Sequence, residues 1–173
     1  VNVGTVTVTI NGIGNYTGSA TGTFNITKAT LPAGEVTITL DNDSVVYTGE
    51  QIKPAVTQVT IGAETINPDL YQVTYGENVN VGGGTVIVTF TNYTEPSTKT
   101  FQITAKTFVF AVELTDETYT GSAITKTFTF TDTDIEPDYT LILDTDYTVS
   151  YGDDNVNVGT VTVTINGIGN YTG

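Results

Sequence analysis

Cysteine, methionine, tryptophan, histidine and arginine are all missing from this chain of 173 residues. Without cysteine there can be no disulfide staple and no thiolate chemistry. Without histidine the usual general base and the commonest metal ligand are gone. The only cations are five lysines, Lys28, Lys53, Lys99, Lys106 and Lys126, set against nineteen carboxylates, for a net charge of −14. Such a charge argues against nucleic acid or an anionic membrane as partner. It also keeps a chain soluble and resistant to lateral clumping. Serine is scarce, and no nucleophile–base pair or oxyanion clamp stands out. Carboxylate pairs alone would suit a two-carboxylate glycosidase, but small repeated modules rarely hold the cleft that chemistry needs. The expectation is a protein that is not an enzyme. No run approaches the ~18 to 20 apolar residues of a membrane span, and no signal peptide is visible, so no membrane insertion is expected.

What is present favours strands. Hydrophobic residues make up 38% of the chain, mostly Val, Ile, Tyr and Phe, which suit a pleated, half-buried surface. Alternation with period two runs through residues 5–10 (TVTVTI), Val36–Leu40 (VTITL), 86–90 (VIVTF) and 127–131 (TFTFT). No segment carries the helical spacing. Turn punctuation falls at Asn11-Gly12, Gly14-Asn15, Gly82-Gly83-Gly84 and Gly152-Asp153-Asp154. The predicted fold is all-β with no helix: tandem immunoglobulin-like antiparallel β-sandwich modules of about 75 residues, each with about six or seven short strands.

An internal repeat organises the rest. Residues 1–18, VNVGTVTVTINGIGNYTG, return unchanged as residues 156–173, an offset of 155. A diverged relative, VNVGGGTVIVTFTNYT, occupies 79–94. The Asn-Val-Gly step recurs at Asn2, Asn80 and Asn157. YQVTYG at 71–76 matches YTVSYG at 147–152, and TFNIT at 23–27 matches TFQIT at 100–104. These landmarks divide the chain into 1–27, the C-terminal strands of a truncated module; 28–105, a complete module; and 106–173, a module without its last strand. The expected array alternates two module types with a 155-residue super-period, through recent duplication, and this chain begins and ends inside one module. The missing strand has its counterpart in residues 19–27, with Phe24 and Ile26 as the side chains that a neighbouring chain would accept by strand addition.

Candidate chemistry is sparse. Clustered oxygen ligands occur at Asp41-Asn42-Asp43, Asp132-Thr133-Asp134, Asp144-Thr145-Asp146 and Asp153-Asp154-Asn155. Calcium is the metal such oxygens would take, with Asp144, Asp146, Asp153 and Asp154 as its candidate ligands. None has EF-hand spacing, and acidic turn residues commonly bond their own backbone instead. No other cofactor is expected. A Lys–Asn isopeptide staple needs a buried lysine, an asparagine and a catalytic carboxylate, and Lys53 aligns with Thr125 rather than with a second lysine. Asn15, Asn25, Asn42, Asn92 and Asn170 head Asn-x-Ser/Thr triplets, which matter only in a glycosylating host. The recurring tyrosines Tyr16, Tyr93 and Tyr171, with Tyr75 and Tyr151, read as corner residues that bury a ring and bond backbone through the hydroxyl.

The string YTGxxI, YxVxYG, NVNVG, TVTVTIxGxGNYTG and TFxIT resembles the tandem Ig-like repeats of large surface and adhesin proteins of Gram-positive, Clostridia-type bacteria. Residues 119–124, 147–173 and 23–27 carry the likeness. The resemblance implies an extracellular stalk, spacer or filament segment held at the cell surface or wall. Its partners would be neighbouring modules, like chains, or a host glycan or protein. The alternatives are a carbohydrate- or mucin-binding module and a strand-exchanging subunit of a self-assembling fibre.

Overall fold

The computed structural model describes residues 2–152 and 154–173. The chain is all-β, with no α-helix and one short 3₁₀ turn, Pro68–Leu70, among the described residues. In chain order the strands are β1 (Gly4–Asn11), β2 (Ser19–Ile26), β3 (Val36–Leu40), β4 (Ser44–Val46), β5 (Val56–Ile61), β6 (Glu64–Thr65), β7 (Tyr71–Tyr75), β8 (Gly82–Phe90) and β9 (Ser97–Thr104). They continue as β10 (Lys106–Thr107), β11 (Thr131–Asp132), β12 (Tyr139–Thr140), β13 (Tyr147–Tyr151), β14 (Val163–Gly167) and β15 (Tyr171–Thr172). The sheets are β1-β2, β3-β5-β6, β4-β9-β8-β7, β10-β15, β11-β12 and β13-β14. Most neighbours are antiparallel, but β4 with β9 and β10 with β15 run parallel, so the expected all-antiparallel pairing does not hold throughout.

The chain forms two compact units. One comprises Val1–Asn42, Lys53–Gly76 and Thr85–Thr100; the other Asp43–Ile52, Glu77–Gly84 and Phe101–Gly173. In the first, Ile38 and Leu40 from β3, Val59 from β5, and Val86, Val88 and Phe90 from β8 are buried, whereas β1 keeps Val8 and Ile10 exposed. Ile38 lies opposite Val59, and Val73 opposite Val88. Val59, Val86 and Val88 are wholly buried, each contributing about 1.5 to 3 kcal/mol relative to exposure.

The second unit is built around rings. Phe110 and Phe130 meet edge to face with centroids 4.9 Å apart, Phe130 meets Tyr147 at 5.1 Å, and Phe108 meets Tyr171 at 6.0 Å. Leu141 and Ile135 are buried in the same unit. Phe101 and Ile103 of β9 are buried here too.

Two expectations fail locally, each for a visible reason. Residues 127–131 were expected to form a strand, yet only Thr131–Asp132 pairs. The alternation of burial persists through 124–130, but tyrosine hydroxyls take the backbone groups that a ladder would use. The Tyr151 hydroxyl donates to the Lys126 carbonyl at 3.1 Å and accepts from its N–H at 2.6 Å, while the Tyr147 hydroxyl donates to the Phe128 carbonyl at 3.0 Å. Gly82-Gly83-Gly84, expected as a turn, opens β8 instead. The Phe101 ring covers Gly84 so closely that a β-carbon there would lie 2.3 Å from Cζ, so only glycine fits.

Candidate assembly interface

The recurring Asn-Val-Gly and Asn-Tyr-Thr steps meet one another, and they do so twice. In the first unit the Val3 N–H donates to Asn92 Oδ1 at 3.3 Å, and Asn92 Nδ2 donates to Asn2 Oδ1 at 3.3 Å. In the second unit the Val81 N–H donates to Asn170 Oδ1 at 2.8 Å, and Asn170 Nδ2 donates to Asn80 Oδ1 at 2.9 Å. The same residue types thus make the same two bonds at the same sequence separations. A carboxamide suits this task because it accepts and donates at once.

Backbone contacts repeat beside the asparagines. The Ala29 N–H donates to the Asn92 carbonyl, and the Lys106 N–H to the Asn170 carbonyl, both at 2.9 Å. Ala29 bridges Tyr93 in parallel, as Lys106 does Tyr171 in the β10-β15 pair. Each junction therefore holds an Asn by its side chain and its main-chain carbonyl, and each also ties down the chain entering the next stretch. The six bonds, three to a junction, are worth about 0.5 to 1.5 kcal/mol each.

The junction of the second unit adds charge. Lys106 Nζ lies 2.7 Å from both carboxylate oxygens of Asp132, whose side chain is 3% exposed, and 3.2 Å from Asp134. Burial alone would lower the Lys106 ammonium, but its hydrogen bonds to Asp132 and Asp134 outweigh that and hold it above its ordinary value. The amine stays protonated, which suits an ion pair rather than nucleophilic attack. Beside this pair the Tyr171 ring is buried, its hydroxyl facing the Asp132 carboxylate without a hydrogen bond of normal geometry. Burial first, and then the nearby carboxylates, push that hydroxyl far up. Tyr139 is pushed up to about 12 by burial and by its hydrogen bond to Asp146. The Tyr47 hydroxyl is raised as well, chiefly by burial.

The candidate calcium ligands are dispersed among other tasks. Asp146 is buried and accepts from the Tyr139 hydroxyl at 2.9 Å and the Ile142 N–H at 2.8 Å. Asp144 sits at a left-handed turn position with φ 64°. Asp154 accepts from the N–H groups of Val156 and Asn157 and from Asn157 Nδ2, bonds that lower its carboxyl. Asp153 lies outside the described residues. No group of three or more metal-ligating side chains forms among the described residues. Lys53, weighed above for a staple, is exposed.

Of the strand-exchange residues, Phe24 is 53% exposed and Ile26 half-buried on β2, which pairs with β1 over eight positions from Gly4↔Ile26 to Asn11↔Ser19. Sequence reasoning marked both partners of each junction as landmarks but did not bring them together. The signal was there: Asn2 to Asn92 and Asn80 to Asn170 are the same distance apart in sequence. The tyrosines Tyr75 and Tyr151 do bond backbone through their hydroxyls, Tyr75 to the Pro54 carbonyl at 2.9 Å. Tyr16 is 79% exposed, unlike its counterpart Tyr171. Among the described residues no helix is long and apolar enough to cross a membrane. No protein-family model, curated protein or solved structure matches the chain.

Proposed function

We propose that this chain is a non-catalytic structural segment of an extracellular bacterial surface protein, in which Ig-like modules joined end to end form a stalk or spacer. The observation that carries the reading is the asparagine junction, made twice with the same bonds. A spacer needs a joint that repeats with the sequence, and an identical eighteen-residue segment at an offset of 155 supplies the same joint surfaces again. The strongly acidic balance supports the reading, because like-charged modules resist collapse onto one another. Tying the short connecting segments into parallel bridges restricts bending at each joint.

Small-angle scattering on a chain carrying the 155-residue period several times tests this. The maximum dimension is expected to grow in proportion to the number of periods. Asn92→Ala with Asn170→Ala should loosen it, broadening the distance distribution while leaving each sheet folded. A compact or freely flexing particle in the unsubstituted chain would remove the basis for the stalk.

A further inference from the structure

We infer that Lys106, Asp132 and an inserted stretch, 139–146, clamp the corner Tyr47-Thr48-Gly49 within the second unit. The corresponding joint of 28–105 carries no such clamp, so an array of these modules would bend at every second joint. The inference deepens the stalk reading and rests on it for the array, whereas the clamp itself belongs to one chain.

The insertion is visible on aligning the two modules. Ile135-Glu136-Pro137-Asp138 matches Ile66-Asn67-Pro68-Asp69, and Tyr147 matches Tyr71. Between those landmarks 106–173 carries eight residues, 139–146, where 28–105 has Leu70 alone. The backbone leaves both versions in the same way: the Asp146 carbonyl accepts from the Ile168 N–H as the Leu70 carbonyl does from Thr91, each at 2.9 Å. The extra residues pair back as β12 on β11 and bury Leu141 and Asp146. They also replace a ring. Tyr71 pairs with Phe90, but Tyr147 pairs with Gly167, which has no side chain to offer. Tyr93 meets the Phe90 ring edge to face at 5.8 Å, whereas Tyr171 lies nearly parallel to the inserted Tyr139, 6.3 Å away.

Polar bonds hold both of those rings. Asp146 accepts from the Tyr139 hydroxyl and the Ile142 N–H, and Asp132, beside the Tyr171 hydroxyl, accepts from Lys106 and from the Asp134 N–H at 3.1 Å. Buried carboxylates paired in this way keep their neighbours in one geometry, because leaving either one unpaired there is costly. The corner sits against the surface so fixed. The Tyr47 ring is buried and meets Tyr171 edge to face at 5.6 Å. Gly49, left-handed at φ 81°, lies so near Ile135 that a β-carbon would stand 2.8 Å from its Cγ2. Ile135 opens the segment that leads into the insertion, so the corner is seated on both sides by residues the insertion holds in place.

In 28–105 the same positions carry no charge. Ala29 stands in the place of Lys106 and Leu70 in that of Asp146. The neighbouring Lys28 reaches a carbonyl, that of Phe90, at 3.4 Å. Beyond the asparagine bonds that both joints share, such a seat holds a corner by apolar packing, which is non-directional. It tolerates small rotations that would break the bonds around Asp132 and Asp146. Lys106, Asp132, Tyr139 and Asp146 are therefore positioning residues, acting on the corner through Tyr171.

The chain has no cysteine, so nitroxide labels attach only where one is introduced. Glu50→Cys and Ser150→Cys, both at exposed positions, put labels beside the corner and on β13, and pulsed dipolar spectroscopy reads the spread of their separation. A narrow distribution is expected in the otherwise unchanged chain. Lys106→Met and Tyr139→Phe should each broaden it, and Lys106→Arg, which keeps the charge, should not. Amide exchange at Val81 should quicken about tenfold in the first two, as loss of one hydrogen bond does, while the β13-β14 ladder keeps its protection. Tyr139→Phe removes one hydroxyl and no charge, so it decides the matter if Lys106→Met fails to fold. Placing residues 1–155 ahead of the whole chain puts both kinds of joint inside one molecule. Labels at Ser122 of the first period and Thr74 of the second then correspond to Glu50 and Ser150, and they should give the broader distribution. Equal widths at the two joints, or no broadening in Tyr139→Phe, would overturn the inference. A freely flexing array in which the Glu50–Ser150 separation stays narrow would remove the stalk and support the clamp.

Discussion

Residues 1–18 and 156–173 share every side chain and differ in what lies beside them. Their turns agree closely. Gly12 and Gly167 donate their N–H groups to the carbonyls of Gly18 and Gly173, at 2.8 and 3.0 Å. Tyr16 and Tyr171 donate theirs to Ile13 and Ile168, at 3.3 and 3.1 Å. Gly14 and Gly169 take the same left-handed conformation, φ 67° and 64°. Outside the turn the copies part. The first extends as the eight-residue β1 against β2; the second forms the five-residue β14 against β13. Tyr16 points its ring to solvent, 79% exposed, while Tyr171 is 2% exposed among Tyr47, Phe108 and Tyr139. Bonds closing within a few residues follow the local sequence. Strand partner and burial follow whatever other segment is available.

The largest test of that difference is Tyr171→Ala beside Tyr16→Ala. Removing the buried ring should cost about 3 to 5 kcal/mol, as large-to-small core substitutions do. Removing the exposed one should stay within about 0.5 kcal/mol. Denaturant unfolding of the two variants reads this directly, and equal costs would break the comparison.

A smaller contrast lies one residue earlier in each copy. Asn170 bonds Val81 and Asn80, whereas Asn15 is exposed. Asn170→Ala should cost about 1 to 3 kcal/mol for two lost hydrogen bonds, and Asn15→Ala close to nothing. Amide exchange at Val81 should quicken only in the former.

The smallest effect is alkaline. Tyr139, Tyr171 and Tyr47 all have hydroxyls raised above the ordinary value near 10. A raised folded-state value means the neutral form is favoured by folding, so this contribution is whole below about pH 10. It is lost as pH climbs toward the Tyr139 value of about 12. Tyrosinate absorbance should rise together with unfolding of the second unit, and its stability should be flat against these groups at neutral pH. Full ionisation of all ten tyrosines near pH 10 in a chain that remains folded would contradict the burial described.

Much of the architecture was legible. The runs at 5–10, Val36–Leu40 and 86–90 form strands because alternating β-branched and apolar residues suit an extended, pleated chain, although only the latter two bury alternate side chains. The run at 127–131 kept its alternation but not its ladder, because the competing hydroxyls of Tyr147 and Tyr151 come from about twenty residues away. Gly82-Gly83-Gly84 reads as a turn until the Phe101 ring is placed over Gly84. Asp132 and Asp146 looked like surface acids suited to calcium. Both are buried, one against Lys106 and the other against Tyr139, which nothing in their immediate neighbours announces.

The twin segments mark the division most sharply. Their left-handed glycines and reverse-turn bonds come from the letters alone, since a turn satisfies its own backbone within a few residues. Which edge each strand bonds, and whether a tyrosine sits in water or among rings, was decided only by tertiary contacts. A strand cannot satisfy its own donors and acceptors, so its partner, and with it the burial of its side chains, must be supplied by another part of a chain.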